Sequence, residues 1–315
     1  MRSLIIAGLI LLPAVCFSQS EYPSRAVRIL VGFTPGGGPD ITARHLAQKL
    51  AEGWGQQVIV ENRPGAGGTL AAAMVARAAP DGYTLLSVSS AHAAAAAIYP
   101  KLGYDTQKDL AGITQTGTSK YVLVSSEFKT LKDLLAAARS RPGQLNFSSA
   151  GVGSGTHFAA EIFKARAALD VVHVPFKGIP EALSEALTGR VQFFMAPIAN
   201  SVSHVREGRL SGLGVSSLKR DPLLPAVPTV DEAGVPGYES ELWFGVLAPA
   251  GLPAAVMAKL NREITRVLSD AETRARWSAI GIEPRPTQPA EFDALIRREI
   301  ALYSRIARAA QIRAD

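Results

Sequence analysis

Of 315 residues, 47% are hydrophobic and 19% are charged, and the formal net charge is +6, to which Arg2 contributes one. This balance excludes a disordered or fibrous chain. The charges alternate in sign, as in REITRVLSDAETRARW, with no aromatic residues interleaved in a basic run, which argues against a nucleic-acid partner.

The N-terminus has the order of a secretory signal peptide over residues 1–20: Arg2, then the apolar run LIIAGLILLPAV, then the small residues of CFSQS. The apolar run is shorter than the roughly 20 residues a membrane span needs. The only cysteine, Cys16, falls inside this leader. Val15 before it is bulkier than lipoprotein processing accepts, so lipidation is not expected. The mature chain then has neither a disulfide framework nor a thiol nucleophile. No later segment is long and apolar enough to span a membrane, so a soluble periplasmic monomer is expected. About 295 residues remain, more than one core usually serves, and two domains are expected.

Elements alternate from the start. Residues 25–33 read as a strand and 39–52 as a helix, with Ala43, Leu46, Ala47 and Leu50 on one face. QVIVEN is a second strand, followed by RPGAGG and the helix TLAAAMVARAA. PDGY turns the chain into a third strand, TLLSVSS, and an alanine-rich helix over 91–98. Three strand–loop–helix units in a row predict a parallel sheet covered by helices. An irregular stretch, 99–117, precedes the strand YVLVSS. A second α/β unit follows: a helix in TLKDLLAAARSRPG, the strand LNFSSAG, a helix over 154–166, the strand VVHV, a helix over 180–188, the strand VQFFMAP, a helix over 198–207 and the strand LSGLGVSS. A proline-rich segment leads to LWFGVLAP, after which the chain reads as helical to its end. There Val256, Leu260, Ile264 and Val267 form one apolar stripe, and Phe292, Leu295, Ile296, Ile300 and Tyr303 form another. Those stripes need a surface, and the first domain supplies it. The expected division is 21–121 plus 247–315 for domain 1 and 122–246 for domain 2, with YVLVSS and LWFGVLAP crossing between them beside a cleft.

In open parallel sheets ligands bind beyond the carboxyl ends of the strands, where helix starts present free N–H groups. Four loops have that position: TPGGGPD (Thr34 to Asp40), NRPGAGGT, SVSSAH and SSAGVGSGTH. Their glycines allow close backbone approach, so the loops suit a carboxylate or phosphate. Gly37 is expected at positive φ. Neither glycine loop has the spacing of a dinucleotide fingerprint or the Lys-Ser/Thr ending of a phosphate loop. Ser154 and His157 are three apart at a helix start and could serve as nucleophile and base, but no G-x-S-x-G elbow is present, and helix capping by Ser154 is the simpler role. None of the five histidines forms a metal pair, so no metal and no cofactor is expected.

The motifs VGFTPGGGPDITAR, VIVENRPGAGGTLAA, APDGYTLL, SSAGVGSGTHFAAEIF, VVHVPFKGIPEAL, GRVQFF, LPAVPTVDEAGVPGYE, WFGVLAPAGLP and KLNREI follow one another in order. As a set they closely resemble the Bug family, the periplasmic solute-binding receptors of tripartite tricarboxylate transporters, from about Tyr22 to the C-terminus. The resemblance implies a type II-like Venus flytrap of two α/β domains, without enzymatic activity, that carries a small carboxylate to membrane transporter subunits. The family pattern PGG-x-x-D falls on Pro35, Gly36, Gly37 and Asp40, with Thr34 and Gly38 in the same loop. The opposite loop carries Ser149, Ala150, Gly151, Gly153 and Ser154. Together the two are implied to hold the carboxylate through backbone groups and water. Phe33, Ser89, Ser90, His92, His157 and Phe176 are implied to line the rest. Two departures stand out: Gly32 where many relatives have proline, and FFMAPIAN, with Met195 and Ala196, where many have an acidic MFD-type segment. Losing that acid favours a less charged, aromatic-type carboxylate. Two alternatives stay open: a ligand sensor acting through a signalling partner, and a secreted hydrolase using Ser154 and His157.

Overall fold

A computed structural model describes residues 22–309 and 311–313; the expected leader and Cys16 lie outside the described residues. The first units form as the apolar periodicity predicts. β1 (Val27–Val31) is flanked by β2 (Val58–Asn62) and β3 (Thr84–Ser89), both parallel to it. The intervening helices are α1 (Gly38–Trp54) and α2 (Thr69–Ala76), and α3 (Ala91–Ile98) follows β3.

The stretch read as irregular contains most of a long strand, β4 (Leu110–Ser125). Its alternation is hidden because register shifts occur between Gly112 and Thr114 and again between Gln115 and Gly117. Leu110–Lys120 pairs antiparallel with β9 (Glu241–Pro249), which also pairs with β3. Tyr121–Val124 instead pairs with β7 (Phe193–Pro197) in a second sheet. β4 therefore runs through both sheets and changes partner at the Lys120–Tyr121 peptide.

The second sheet also holds β5 (Asn146–Ser149), parallel to β6 (Val172–Pro175) and β7, while β8 (Ser211–Val215) pairs with β4. Its helices are α4 (Leu131–Ser140), α5 (Gly155–Ala167), α6 (Ile179–Leu187) and α7 (Ile198–Arg206). All of β9 belongs to the first sheet, so residues 241–246, which the sequence reading placed in domain 2, pair with domain 1 strands. The chain leaves the second sheet at Ser240, whose N–H donates to the Ser216 carbonyl. The Ser216 hydroxyl ties the two crossings together, accepting from Tyr121 N–H at 2.9 Å and donating to the Ser240 carbonyl at 2.6 Å.

The C-terminal region is not helical throughout. Between α8 (Ala254–Ser269) and α9 (Ala271–Ser278) on one side and α10 (Pro289–Ala309) on the other lies β10 (Ile282–Pro284), paired with β4. Gly117 makes room for it: a Cβ there would sit 2.8 Å from the Glu283 carbonyl. The apolar stripes bury as expected. Leu260, Ile264 and Val267 of α8 join a core with α1 on one face of the first sheet, and Phe292, Ile296 and Tyr303 of α10 pack with α2 and α3 on the other. The first core continues through Tyr121, Leu123 and Phe147 into the second sheet, so the two halves share apolar packing where the strands cross. We call the first sheet with its helices the first lobe, and the second sheet with its helices the second lobe.

Candidate functional site

Between the lobes lies a small cavity of about 30 Å³. Five helices begin at its wall. Gly37, Gly38 and Pro39 open α1, Ser89 precedes α3, Ser154, Gly155 and Thr156 open α5, Ile179 opens α6 and Pro197 precedes α7. Each start carries backbone N–H groups without intrahelical partners and the positive end of a helix dipole. Strand residues Tyr121, Leu242 and Phe244 complete the wall with Phe33. No charged side chain lines the cavity. Its attraction for an anion therefore comes from backbone dipoles alone, and such a site favours a group with acceptor oxygens and no donor.

The first glycine loop is held by Asp40. Its buried carboxylate accepts from Gly36 N–H at 3.0 Å, Asn62 Nδ2 at 2.9 Å and Arg44 Nε at 3.0 Å. Burial alone would raise its pKa, but the bonds from Arg44, Gly36 and Asn62 outweigh burial and hold it below the ordinary carboxylate value. The carboxylate is consumed within the loop and does not line the cavity. Gly36 carries the left-handed turn, with φ of +90°. Gly37 has φ of −78°, an ordinary extended conformation, so the expectation of positive φ at Gly37 is corrected. The α1 start is fixed further by Ser87 Oγ, which donates to the Pro39 carbonyl at 2.9 Å.

In the opposite loop, Ser154 caps α5: its hydroxyl accepts from His157 N–H at 3.2 Å and pairs with Thr156 Oγ at 2.9 Å. The His157 ring does not reach that hydroxyl. Its Nδ1 accepts from Gly153 N–H at 3.2 Å, and its face stacks on His173 with ring centres 3.9 Å apart. His173 Nε2 in turn lies 2.6 Å from Ser149 Oγ. Burial, with the neighbouring His173 and Lys164, pushes the His157 pKa down to about 3, and burial with Lys164 brings His173 to about 4. Both rings are thus neutral buttresses under the loop, and the nucleophile–base bond a hydrolase needs is not made.

A larger chamber of about 730 Å³ adjoins the cavity, with Phe33 and Ala150 lining both. Gly67 and Tyr99 of the first lobe and Gly151, Val152, Phe176 and Lys177 of the second line it. The lobes touch around it. Asn200 Nδ2 donates to the Gly36 carbonyl at 2.7 Å, and Thr34 Oγ donates to Glu181 Oε2 at 3.4 Å. A Cβ on Gly67 would sit 2.9 Å from the Val152 carbonyl, so the two backbones approach closely at the mouth.

Of the residues singled out in the sequence, Phe33, Thr34, Gly37, Gly38, Ser89, Ala150 and Ser154 meet at the cavity. Gly151 and Phe176 line the chamber. Gly36, Asp40, Ser149, Gly153 and His157 shape the two loops from behind, and Pro35 is exposed. Ser90 is buried at the α3 start beside Gly155: a Cβ on Gly155 would meet the Tyr121 hydroxyl and Ser90 Oγ. His92 lines a separate space of about 10 Å³ behind Phe33, where burial lowers its pKa to about 4. Tyr121, Gly155, Ile179, Leu242, Phe244, Tyr99 and Asn200 were missed. Gly155 could have been found as the first helical residue after the Ser154 cap. The apolar ones read as core in any strand pattern.

Two kinds of comparison bear on this geometry. The family model described as "Tripartite tricarboxylate transporter family receptor" matches residues 42–312. The chain is 33% identical to protein BugT of Bordetella pertussis (strain Tohama I / ATCC BAA-589 / NCTC 13251), over 92% of this chain and 91% of that one. Among solved structures, that of an R. palustris protein with adipate superposes with a TM-score of 0.89 at 32% identity, covering 93% of this chain and 99% of that one. MatC from Rhodopseudomonas palustris with bound malate superposes with a TM-score of 0.85 at 34% identity, covering 90% and 99%.

Proposed function

The chain belongs to the tripartite tricarboxylate transporter receptor family, and from that premise we propose that it is a periplasmic receptor that closes on a small organic carboxylate and delivers it to the membrane subunits of a transporter. The observation that carries the reading is the convergence of five helix starts on a cavity without charged side chains. A carboxylate there accepts from N–H groups of both lobes at once, so its affinity for the closed arrangement exceeds that for either lobe alone, and binding shifts the population toward closure. The adipate and malate bound to two relatives of similar fold agree with this class of ligand.

The lobes act as domains that hinge at the neighbouring crossings, Lys120–Tyr121 and Ser240–Glu241, where Ser216 bonds to both strands. The mechanism is capture and release, with no bond made or broken in the ligand. Native mass spectrometry of freshly purified protein tests it: one organic acid per chain is expected, released on partial unfolding and rebound reversibly. Ester turnover abolished by Ser154→Ala would instead support the hydrolase reading.

A further inference from the structure

The two spaces between the lobes differ in size and in chemistry. The inner cavity, about 30 Å³, has room for a group the size of a water or a carboxylate head and no more. The rest of any ligand must lie in the adjoining chamber of about 730 Å³. Phe33 stands between the two and lines both. Beyond it the chamber is faced by Tyr99 from the first lobe and by Val152 and Phe176 from the second. All four side chains are half-buried, so each offers an accessible apolar face. The only cation lining either space is Lys177, which is exposed and lines the chamber alone.

A compact di- or tricarboxylate places its second charge a few bonds from the first. That charge would fall beside Phe33, Phe244 and Ile179, where no cation or side-chain donor waits for it, and burying an unpaired carboxylate is strongly unfavourable. A flat apolar body attached to one carboxylate meets no such penalty. It gains contact with rings presented from both lobes, and so adds to closure. Resting on the receptor reading above, we infer that this chain selects a monocarboxylate with a flat, apolar, ring-type body, held between Phe33 and Tyr99 of the first lobe and Phe176 of the second.

The test is calorimetry on the full mature chain, stripped of bound acid by unfolding and refolding, with benzoate, acetate, malate and citrate as probes. Benzoate should bind at least tenfold tighter than malate or citrate. Phe176→Ala should weaken benzoate by roughly 2- to 12-fold, the range for loss of one aromatic contact, and leave the weaker acetate affinity unchanged. Phe176 is half-buried, and an unchanged melting temperature of the variant certifies the fold. Phe176→Leu, which keeps apolar bulk, should lose less. Malate or citrate binding as tightly as benzoate overturns the inference and leaves the carboxylate receptor standing. An equal loss for acetate and benzoate in Phe176→Ala also overturns it, since the ring would then act on the loop alone. Binding of none of the four acids, with no acid found in the purified protein, overturns the receptor reading itself.

Discussion

Gly178 at the α6 start offers the sharpest perturbation of closure. It belongs to the second lobe, yet a Cβ built on it would overlap Thr34 Oγ of the first lobe and lie 3.2 Å from Thr34 Cβ and 2.9 Å from Glu181 Oε2. Its backbone is extended, with φ of −171°, a conformation alanine adopts without strain. Gly178→Ala should therefore leave each lobe folded and oppose only their approach. Rotating the Thr34 hydroxyl relieves the first clash but not the contact with Thr34 Cβ, so part of the penalty persists. Overpacking of this kind costs about 1–3 kcal/mol. The closed-to-open ratio, and with it the affinity of a ligand that binds the closed form, should fall by about 5- to 150-fold. Calorimetry reads the affinity, and small-angle scattering reads the shift toward an extended shape. Adding Thr34→Ala should restore part of the loss, because the oxygen that clashes is gone. A Gly178→Ala protein that binds as tightly as the parent would refute the reasoning, as would one whose loss Thr34→Ala leaves untouched.

Other predictions follow from named contacts. Asn200→Ala removes the bond to the Gly36 carbonyl across the cleft, and a loss of about 0.5–1.5 kcal/mol corresponds to about 2- to 12-fold weaker binding, seen chiefly as faster dissociation in stopped-flow fluorescence. Asp40→Asn replaces a carboxylate that accepts bonds from three residues, so urea denaturation should show a loss of about 1–3 kcal/mol and binding should weaken as the first loop relaxes. Gly155→Ala would drive a methyl against the Tyr121 hydroxyl and Ser90 at the cavity wall, and calorimetry should show binding abolished or severely weakened. The buried histidines give a signed pH effect. In the unfolded chain they take up protons near pH 6.5, whereas in the folded protein His157 does so at about 3 and His92 and His173 at about 4. The unfolded state binds more protons in between, so the melting temperature should be level above pH 6.5, fall as the pH drops toward 4, and fall less steeply in His157→Gln/His173→Gln.

The sequence makes the two glycine loops legible because each combines a buried strand, a glycine run and a helix start, and those signals are local. It does not reveal which glycine turns left-handed. Gly36 and Gly37 are equally permissive, and only the bond from Gly36 N–H to Asp40 decides between them. His157 and Ser154 look catalytic by spacing alone. The direction of the ring, toward Gly153 and His173, is a matter of tertiary packing. The first half of β4 escapes because Gly112 and Gly117 interrupt its alternation, and those glycines make sense only once Asp293 and Phe292 of α10 and the β10 backbone are seen against them. β10 is too short to register as a pattern. The walls of the site escape for a related reason: Tyr121, Leu242 and Phe244 read as core strand residues, and they are core residues that also face the space between the lobes.

The central claim is that backbone dipoles from both lobes recognise a carboxylate. The most direct measurement compares the acid recovered from the purified protein with its own carboxamide, titrated into stripped protein by calorimetry. The two share shape and body and differ in the charge and acceptor count of the head group. The account predicts saturable binding of one acid per chain and a carboxamide weaker by at least a hundredfold, because an uncharged head gains little from the helix starts and its NH₂ brings a donor to a wall of donors. A carboxamide that binds as tightly as the acid would contradict it.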